Sequence, residues 1–266
     1  MIKINGNPID IGNFPDGSML IKHKHTYGDG SWSSYAKLSW YYENDREFLA
    51  LIYLVKHLRA NGVDEIYLYM PYIPNARMDR VKNPEDVFTL KYFAELLNSL
   101  NLTRIEVLDP HSSVSEALIN NLYIYSPKPY IERSIEKIGS SNLMLFYPDE
   151  GAMKRYSGMV DLPYAFGIKK RDWKTGKIEG LDVAGAVDQI ADHNILIVDD
   201  ICSRGGTFYH SAKKLKELGA NDIYLYVSHC ENTIFEGELP YGDLIKKVYT
   251  TDSIFTKTYE KIEVLK

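Results

Sequence analysis

The chain is poor in cysteine, in basic charge and in long apolar runs, and each shortage removes a class of explanation. Only Cys202 and Cys230 occur among 266 residues, and neither sits in a metal-ligand spacing. A disulfide scaffold and a zinc module are thereby excluded, and two reduced thiols in a cytoplasmic protein are expected. Lys and Arg total 31 against 36 Asp and Glu, a net charge of −5. With no basic stripe either, nucleic acid is not an expected partner. No apolar run approaches a membrane span, and the first residues, Met1-Ile2-Lys3-Ile4-Asn5-Gly6, lack the apolar core of a signal peptide.

What is present reads as globular. Charged residues make up 25% of the chain, which argues against disorder. Tyrosine is abundant at 21 residues, many of them beside aliphatics in strand-like runs, where half-buried sheet positions are expected. The length suits two domains.

The organising stretch is residues 194–208. Ile195-Leu196-Ile197-Val198 reads as a strand buried on both faces, as at the centre of a parallel sheet. Asp199 and Asp200 follow, then a short loop with Gly205, Gly206 and Thr207, then a helical run closed by Gly219. Ligands of open α/β sheets bind outside the carboxyl ends of the strands, which is where this loop lies. Glycines let backbone N–H groups face an anion, and the helix N-terminus adds its dipole. The carboxylates suit sugar hydroxyls or a metal. A ligand carrying both a phosphate and a polyol is expected.

Elsewhere, helix and strand patterns alternate as in an α/β chain. Asn44-Asp45 reads as an N-cap before an apolar helical face, and Asp86 as the start of another helix. Strand-like runs end at Met70, Asp109, Tyr147 and Ser228. Read alone, His111 suits a structural histidine, Asp149 a helix N-cap, and Arg77-Met78-Asp79-Arg80 a surface arginine pair bridging an acid. The run from Lys169 to Lys177 reads as a solvated basic loop after a strand ending at Ile168.

The pattern Asp-Asp-x-x-x-x-Gly-Gly-Thr at 199–207 resembles the ribose-phosphate loop of the type I phosphoribosyltransferase fold, and the rest of the chain resembles the ribose-phosphate pyrophosphokinase family within it. The supporting segments come in order: Phe14-Pro15-Asp16-Gly17, Pro71-Tyr72 through Arg80, Asp109-Pro110-His111, Pro148-Asp149-Glu150-Gly151 and Lys169-Lys170-Arg171. The resemblance implies two tandem phosphoribosyltransferase-like α/β domains, 1–139 and 140–266, each a mainly parallel sheet flanked by helices.

It also implies roles. Phe14 and Asp16 would reach the adenine of ATP in a neighbouring subunit, so a homo-oligomer is expected. Arg77 and Met78 would lie at the ATP, with Met78 standing where the family has Gln. His111 and Asp149 would attend the Mg²⁺ that carries ATP. Lys169 and Arg171 would belong to a cationic catalytic lid. Asp199 and Asp200 would hold ribose hydroxyls, while Ser203, Arg204, Gly205, Gly206 and Thr207 cradle the 5-phosphate. The implied reaction transfers the β,γ-diphosphoryl group of ATP to the anomeric hydroxyl, leaving AMP, in nucleotide or NAD metabolism.

One departure bears on the acceptor. The family's loop reads Asp-Thr-x-Gly-Thr, whereas Ser203 and Arg204 stand at the first two positions here. That exchange moves the local formal charge by roughly two units toward positive, and it raises a 5-phosphate carrying a further group, such as ADP-ribose, beside plain ribose 5-phosphate. Two alternatives stand: a phosphoribosyltransferase that consumes the diphosphorylated sugar, and a catalytically silent regulatory homologue. Ser18, Met78, Ala152 and a missing terminal helical segment speak for the latter; His111, Asp149, Lys169 and Arg171 speak against it.

Overall fold

A computed structural model describes residues 1–23, 33–139, 141–171 and 178–266, without the side chains of 169–171 and 178–181. The chain divides into two compact units, Met1–Tyr125 and Ser126–Lys266.

The first unit contains β1 (Ile2–Ile4), β2 (Asn7–Pro8), β3 (Asp10–Asn13), β4 (Met19–Lys22), β5 (Tyr35–Trp40), α1 (Arg46–Ala60), β6 (Glu65–Tyr69), α2 (Thr89–Asn98), β7 (Arg104–Leu108), α3 (Ser113–Leu118) and β8 (Leu122–Tyr125). Its main sheet runs β2-β1-β5-β6-β7-β8, and β5 through β8 are mutually parallel. Alternate residues of the strands point one way: Leu38, Trp40, Ile66, Leu68, Ile105 and Val107 are buried in one core. Leu51, Leu54, Val55 and Leu58 of α1, with Leu90, Phe93 and Leu97 of α2, close that core through their 3.6-residue periodicity. The intervening residues carry tyrosines and charges. Tyr69 meets Tyr41 and Tyr125 edge-on, and the Arg104 guanidinium lies 4.0 Å over Tyr123.

Two helix starts differ from the sequence reading. Asp45 precedes α1, but its side chain accepts from the Tyr42 hydroxyl at 3.0 Å and caps nothing. Asp86 accepts from the backbone N–H groups of Lys82 and Asn83, both at 2.9 Å, so it closes a turn and α2 begins only at Thr89.

The second unit contains α4 (Lys128–Ile138), β9 (Leu143–Tyr147), α5 (Glu150–Tyr156), β10 (Tyr164–Arg171), β11 (Ile178–Gly185), β12 (Asn194–Cys202), α6 (Gly206–Glu217), β13 (Ile223–Cys230), β14 (Lys247–Thr250) and β15 (Ile262–Val264). The sheet order is β11-β10-β9-β12-β13-β14-β15, parallel except for the β10–β11 pair. Apolar cores lie on both faces, as expected of a parallel sheet. Ile195 and Ile197 enter one core while Leu196 and Val198 enter the other, which explains the unbroken aliphatic run.

The unit boundary falls at 125/126, earlier than the expected 139/140. The cause is α4, whose Ile131 and Ile135 pack with Leu143, Leu145 and Tyr147 of β9. Two strands also outrun their sequence readings. β12 stays paired with β13 as far as Cys202↔Cys230, so Asp199 and Asp200 are strand residues. β10 stays paired with β11 through Arg171, so the backbone at Lys169 and Arg171 belongs to a strand rather than to the loop after it.

Candidate functional site: the carboxyl ends of the second sheet

In the second unit, β9 and β12 are adjacent and parallel, so both deliver their following residues to one edge of the sheet. Asp149 arrives from β9. It is the N-cap of α5, and its Oδ1 accepts from the Ala152 N–H at 3.1 Å, which fixes the orientation of the carboxylate. Asp199 and Asp200 arrive from β12. Asp200 is buried, and Arg155 of α5 sets a guanidinium nitrogen 3.5 Å from its Oδ2. Asp199 is partly buried, and its Oδ1 accepts from the Asp200 N–H at 2.9 Å. Burial pushes the Asp199 carboxyl well above the usual carboxylate range, and the charges of Asp200 and Asp149 push the same way. Three acids and one arginine thus converge where hydroxyls of a polyol could be received. Arg155 was not assigned a role from sequence, although it lies four residues past the Pro148-Asp149-Glu150-Gly151 segment that drew attention to Asp149.

The loop after β12 turns at Gly205, whose φ of 78° is left-handed and suits glycine. α6 starts at Gly206, and its first N–H groups have no partner within the helix itself. Gly206 and Thr207 are exposed. This is the arrangement an anion requires. The loop is held from behind by the segment after β13. A Cβ on Gly205 would meet the Leu239 side chain at 2.2 Å, and one on Gly237 would meet the Arg204 carbonyl oxygen at 1.9 Å. Arg204 itself points Nε and Nη2 at Glu236 Oε2, each at 2.9 Å. Neither Glu236 nor Gly237 stood out in the sequence, since no motif marks them.

Cys202, just before the loop, is the register partner of Cys230, and both are fully buried free thiols. Contact with Cys230 and burial push the Cys202 thiol up, away from thiolate reactivity. On β13, His229 is buried and its Nδ1 lies 2.8 Å from Ser253 Oγ, which bridges on to the Ser228 carbonyl at 3.1 Å.

In the first unit, the residues expected at a nucleotide also gather at strand carboxyl ends. The loop carrying Arg77, Met78, Asp79 and Arg80 follows β6, and His111 follows the neighbouring β7. Asp79 is buried and pairs with Arg80 in two contacts of 2.7 and 3.0 Å. That pairing holds the Asp79 carboxyl below the usual range, with smaller contributions from Ser112 and His111. Arg80 is therefore the bridging arginine, and Arg77 is exposed. Asp109, with φ 43°, makes the turn that carries the chain from β7 to His111.

Phe14 and Asp16 lie on the turn between β3 and β4. Asp16 Oδ1 accepts from the Ser18 hydroxyl at 2.6 Å and from the Ser18 N–H at 2.9 Å. These bonds lower the Asp16 carboxyl, and they leave Phe14 exposed at the tip. Arg46 of α1 ties this hairpin down, donating to the Gly12 carbonyl at 3.0 Å and to the Asn13 side chain. The side chains of Lys169 and Arg171 lie outside the described residues. Among the described residues, no group of three or more His, Cys, Asp or Glu side chains is spaced to hold a metal ion, and no helix is long and apolar enough to cross a membrane.

No family model matches the chain. Curated proteins do. Ribose-phosphate pyrophosphokinase of Mycoplasma pneumoniae is 30% identical over 199 residues, covering 72% of this chain and 58% of that protein. The chain is thus similar to proteins named ribose-phosphate pyrophosphokinase. The Mycoplasmopsis pulmonis protein of that name is 28% identical over 265 residues, covering 95% of this chain and 79% of its own length. The chain thus spans less than two thirds of the Mycoplasma pneumoniae relative and about four fifths of the Mycoplasmopsis one. Phosphoribosylpyrophosphate synthetase from Mycobacterium smegmatis superposes with a TM-score of 0.79 over 97% of this chain and 85% of that structure, at 17% identity. That likeness shows the α/β fold with its two sheets.

Proposed function

We propose that the chain transfers the β,γ-diphosphoryl group of ATP to the anomeric hydroxyl of ribose 5-phosphate and releases AMP. The observation that carries this reading is the acid cluster Asp149, Asp199 and Asp200, braced by Arg155, directly followed by a glycine turn at a helix N-terminus. A sugar phosphate matches both halves: the acids accept from ribose hydroxyls, and the N–H groups at 205–207 donate to the 5-phosphate. Names of the curated homologues support the same chemistry.

The anomeric hydroxyl attacks the β-phosphorus in line as the bond to the AMP oxygen breaks, and its proton leaves to solvent or a nearby base. Such transfers need positioning and charge neutralisation more than covalent help from the protein. Arg77 neutralises phosphate oxygens on the nucleotide side, and Lys169 with Arg171 do so as charge develops. Phe14, from a second copy in a homo-oligomer, offers its exposed ring to the adenine, and Asp16, locked by Ser18, offers a fixed acceptor. Mg²⁺ binds substrate phosphates and water with one or two carboxylates. Asp149, an oriented oxygen donor, would hold it by that habit, and in the first unit His111 would offer a nitrogen to the nucleotide's ion. When bound, the ion supplies charge neutralisation on the triphosphate. The cytoplasm is the compartment this substrate set implies.

The 5-substituted acceptor loses its main support. Arg204, whose charge suggested ADP-ribose, is paired with Glu236, which returns one of the two units gained in the loop. Plain ribose 5-phosphate is therefore the favoured acceptor. Incubating the chain with ATP, Mg²⁺ and a panel of ribose phosphates tests the reading: AMP should appear with ribose 5-phosphate and without any nucleobase. AMP formation with none of the sugars would overturn it.

A further inference from the structure

The segment 231–241 after β13 packs against the ribose-phosphate loop along its length. Leu239 fills the space beside Gly205, and Gly237 lies so close to Arg204 that no side chain fits. Glu236 immediately precedes Gly237, and it accepts from two nitrogens of Arg204 through one oxygen. The pair is largely in water, with Arg204 72% and Glu236 54% exposed. Because 204 adjoins the turn at 205–207, the charge Arg204 shows to a ligand depends on whether Glu236 cancels it.

We propose that Glu236 is a selectivity residue of the sugar-phosphate site. It neutralises Arg204 next to the anion-binding turn, so that an acceptor ending in a single phosphate is taken and one extended by a second phosphoryl group gains no attraction. Arg204 touches the ligand's far end only when Glu236 releases it. Glu236 thus acts through Arg204, as a positioning residue. The proposal rests on the reading of residues 203–207 as a sugar-phosphate loop.

Both side chains are exposed, so substitutions there retain the fold, which thermal melting verifies. Calorimetric titration of the full chain with ribose 5-phosphate and with ADP-ribose at low ionic strength provides the test. Glu236→Gln keeps an acceptor for Arg204 and removes only charge. It should tighten ADP-ribose roughly fivefold, the upper range for one exposed charge pair, while ribose 5-phosphate changes less than twofold. In the double variant Arg204→Met, Glu236→Gln the gain should vanish. An equal change for both ligands, or a gain that persists without Arg204, would overturn the proposal alone. If neither sugar phosphate binds the unmodified chain, the sugar-phosphate reading of the loop fails and the proposal falls with it.

Discussion

Replacing Gly237 by alanine tests how the ribose-phosphate loop is held. An alanine Cβ would lie 1.9 Å from the Arg204 carbonyl oxygen, 2.9 Å from its carbon and 3.4 Å from its Cα. A tolerable carbon–oxygen contact is about 3.3 Å, so the two backbones must part by about 1.4 Å. Neither side yields easily. Leu239 is wedged against Gly205, and the Gly237 N–H is bonded to the Ile234 carbonyl at 3.1 Å. The backbone at 237 is otherwise extended, with φ −108° and ψ −176°, so the clash and not the dihedral opposes the alanine. Overpacking of this kind costs about 1–3 kcal/mol, which lowers the melting temperature by roughly 4–10 °C. Displacing binding groups by about 1 Å costs on the order of 100-fold in turnover efficiency. Melting curves and kcat/KM for ribose 5-phosphate, measured on one preparation, give both numbers. A Gly237→Ala variant with unaltered melting and activity would refute the claim that segment 231–241 sets the loop's position.

Gly206 offers the complementary case: an added Cβ meets nothing within 4 Å. Gly206→Ala should keep or raise stability by about 0.5–1 kcal/mol, yet weaken sugar-phosphate binding roughly tenfold by keeping the anion from the N–H groups; unchanged binding by titration would count against an anion there. Asp199 gives a pH prediction. Its folded-state carboxyl is raised, so its contribution to stability is greatest below the unfolded value of 3.8 and declines as pH rises through the folded value. Asp199→Asn should therefore raise the urea midpoint at pH 7 while weakening ribose 5-phosphate binding, and a lower midpoint at pH 7 would contradict the burial argument. Lys169→Ala should lower AMP formation about 100-fold or more with little change in ribose 5-phosphate binding; equal AMP rates would remove the lysine from the chemistry.

The parts of this architecture that were readable in the sequence are those written in consecutive residues. Leu143–Tyr147 is apolar or aromatic and Ile195–Val198 aliphatic because both faces of the second sheet are covered, and the acids and glycines at 199–207 declare their chemistry by spacing. What escaped notice depends on pairings made by the fold. Glu236 lies 32 residues from Arg204, and only the adjacency of β12 and β13 joins them. Helix α4 is amphipathic by pattern, but periodicity does not tell which sheet Ile131 and Ile135 will meet, hence the difference between the expected boundary at 139/140 and the division of the units at 125/126. Asp86 and Asp45 look like caps, since the same side chain that caps a helix also closes a turn. The polar run Lys169-Lys170-Arg171 concealed a strand because its backbone pairs with β11, which no local sequence pattern announces.

The central claim is that a phosphorylated ribose sits on the acid pair and glycine turn and receives a diphosphoryl group there. Incubating the full chain with ATP labelled at the β-phosphorus, Mg²⁺ and ribose 5-phosphate, then resolving the products, tests this most directly. The account predicts label in a sugar carrying three phosphates, with one AMP formed for each. Label appearing only in ADP or inorganic phosphate, or in no product at all, would contradict it.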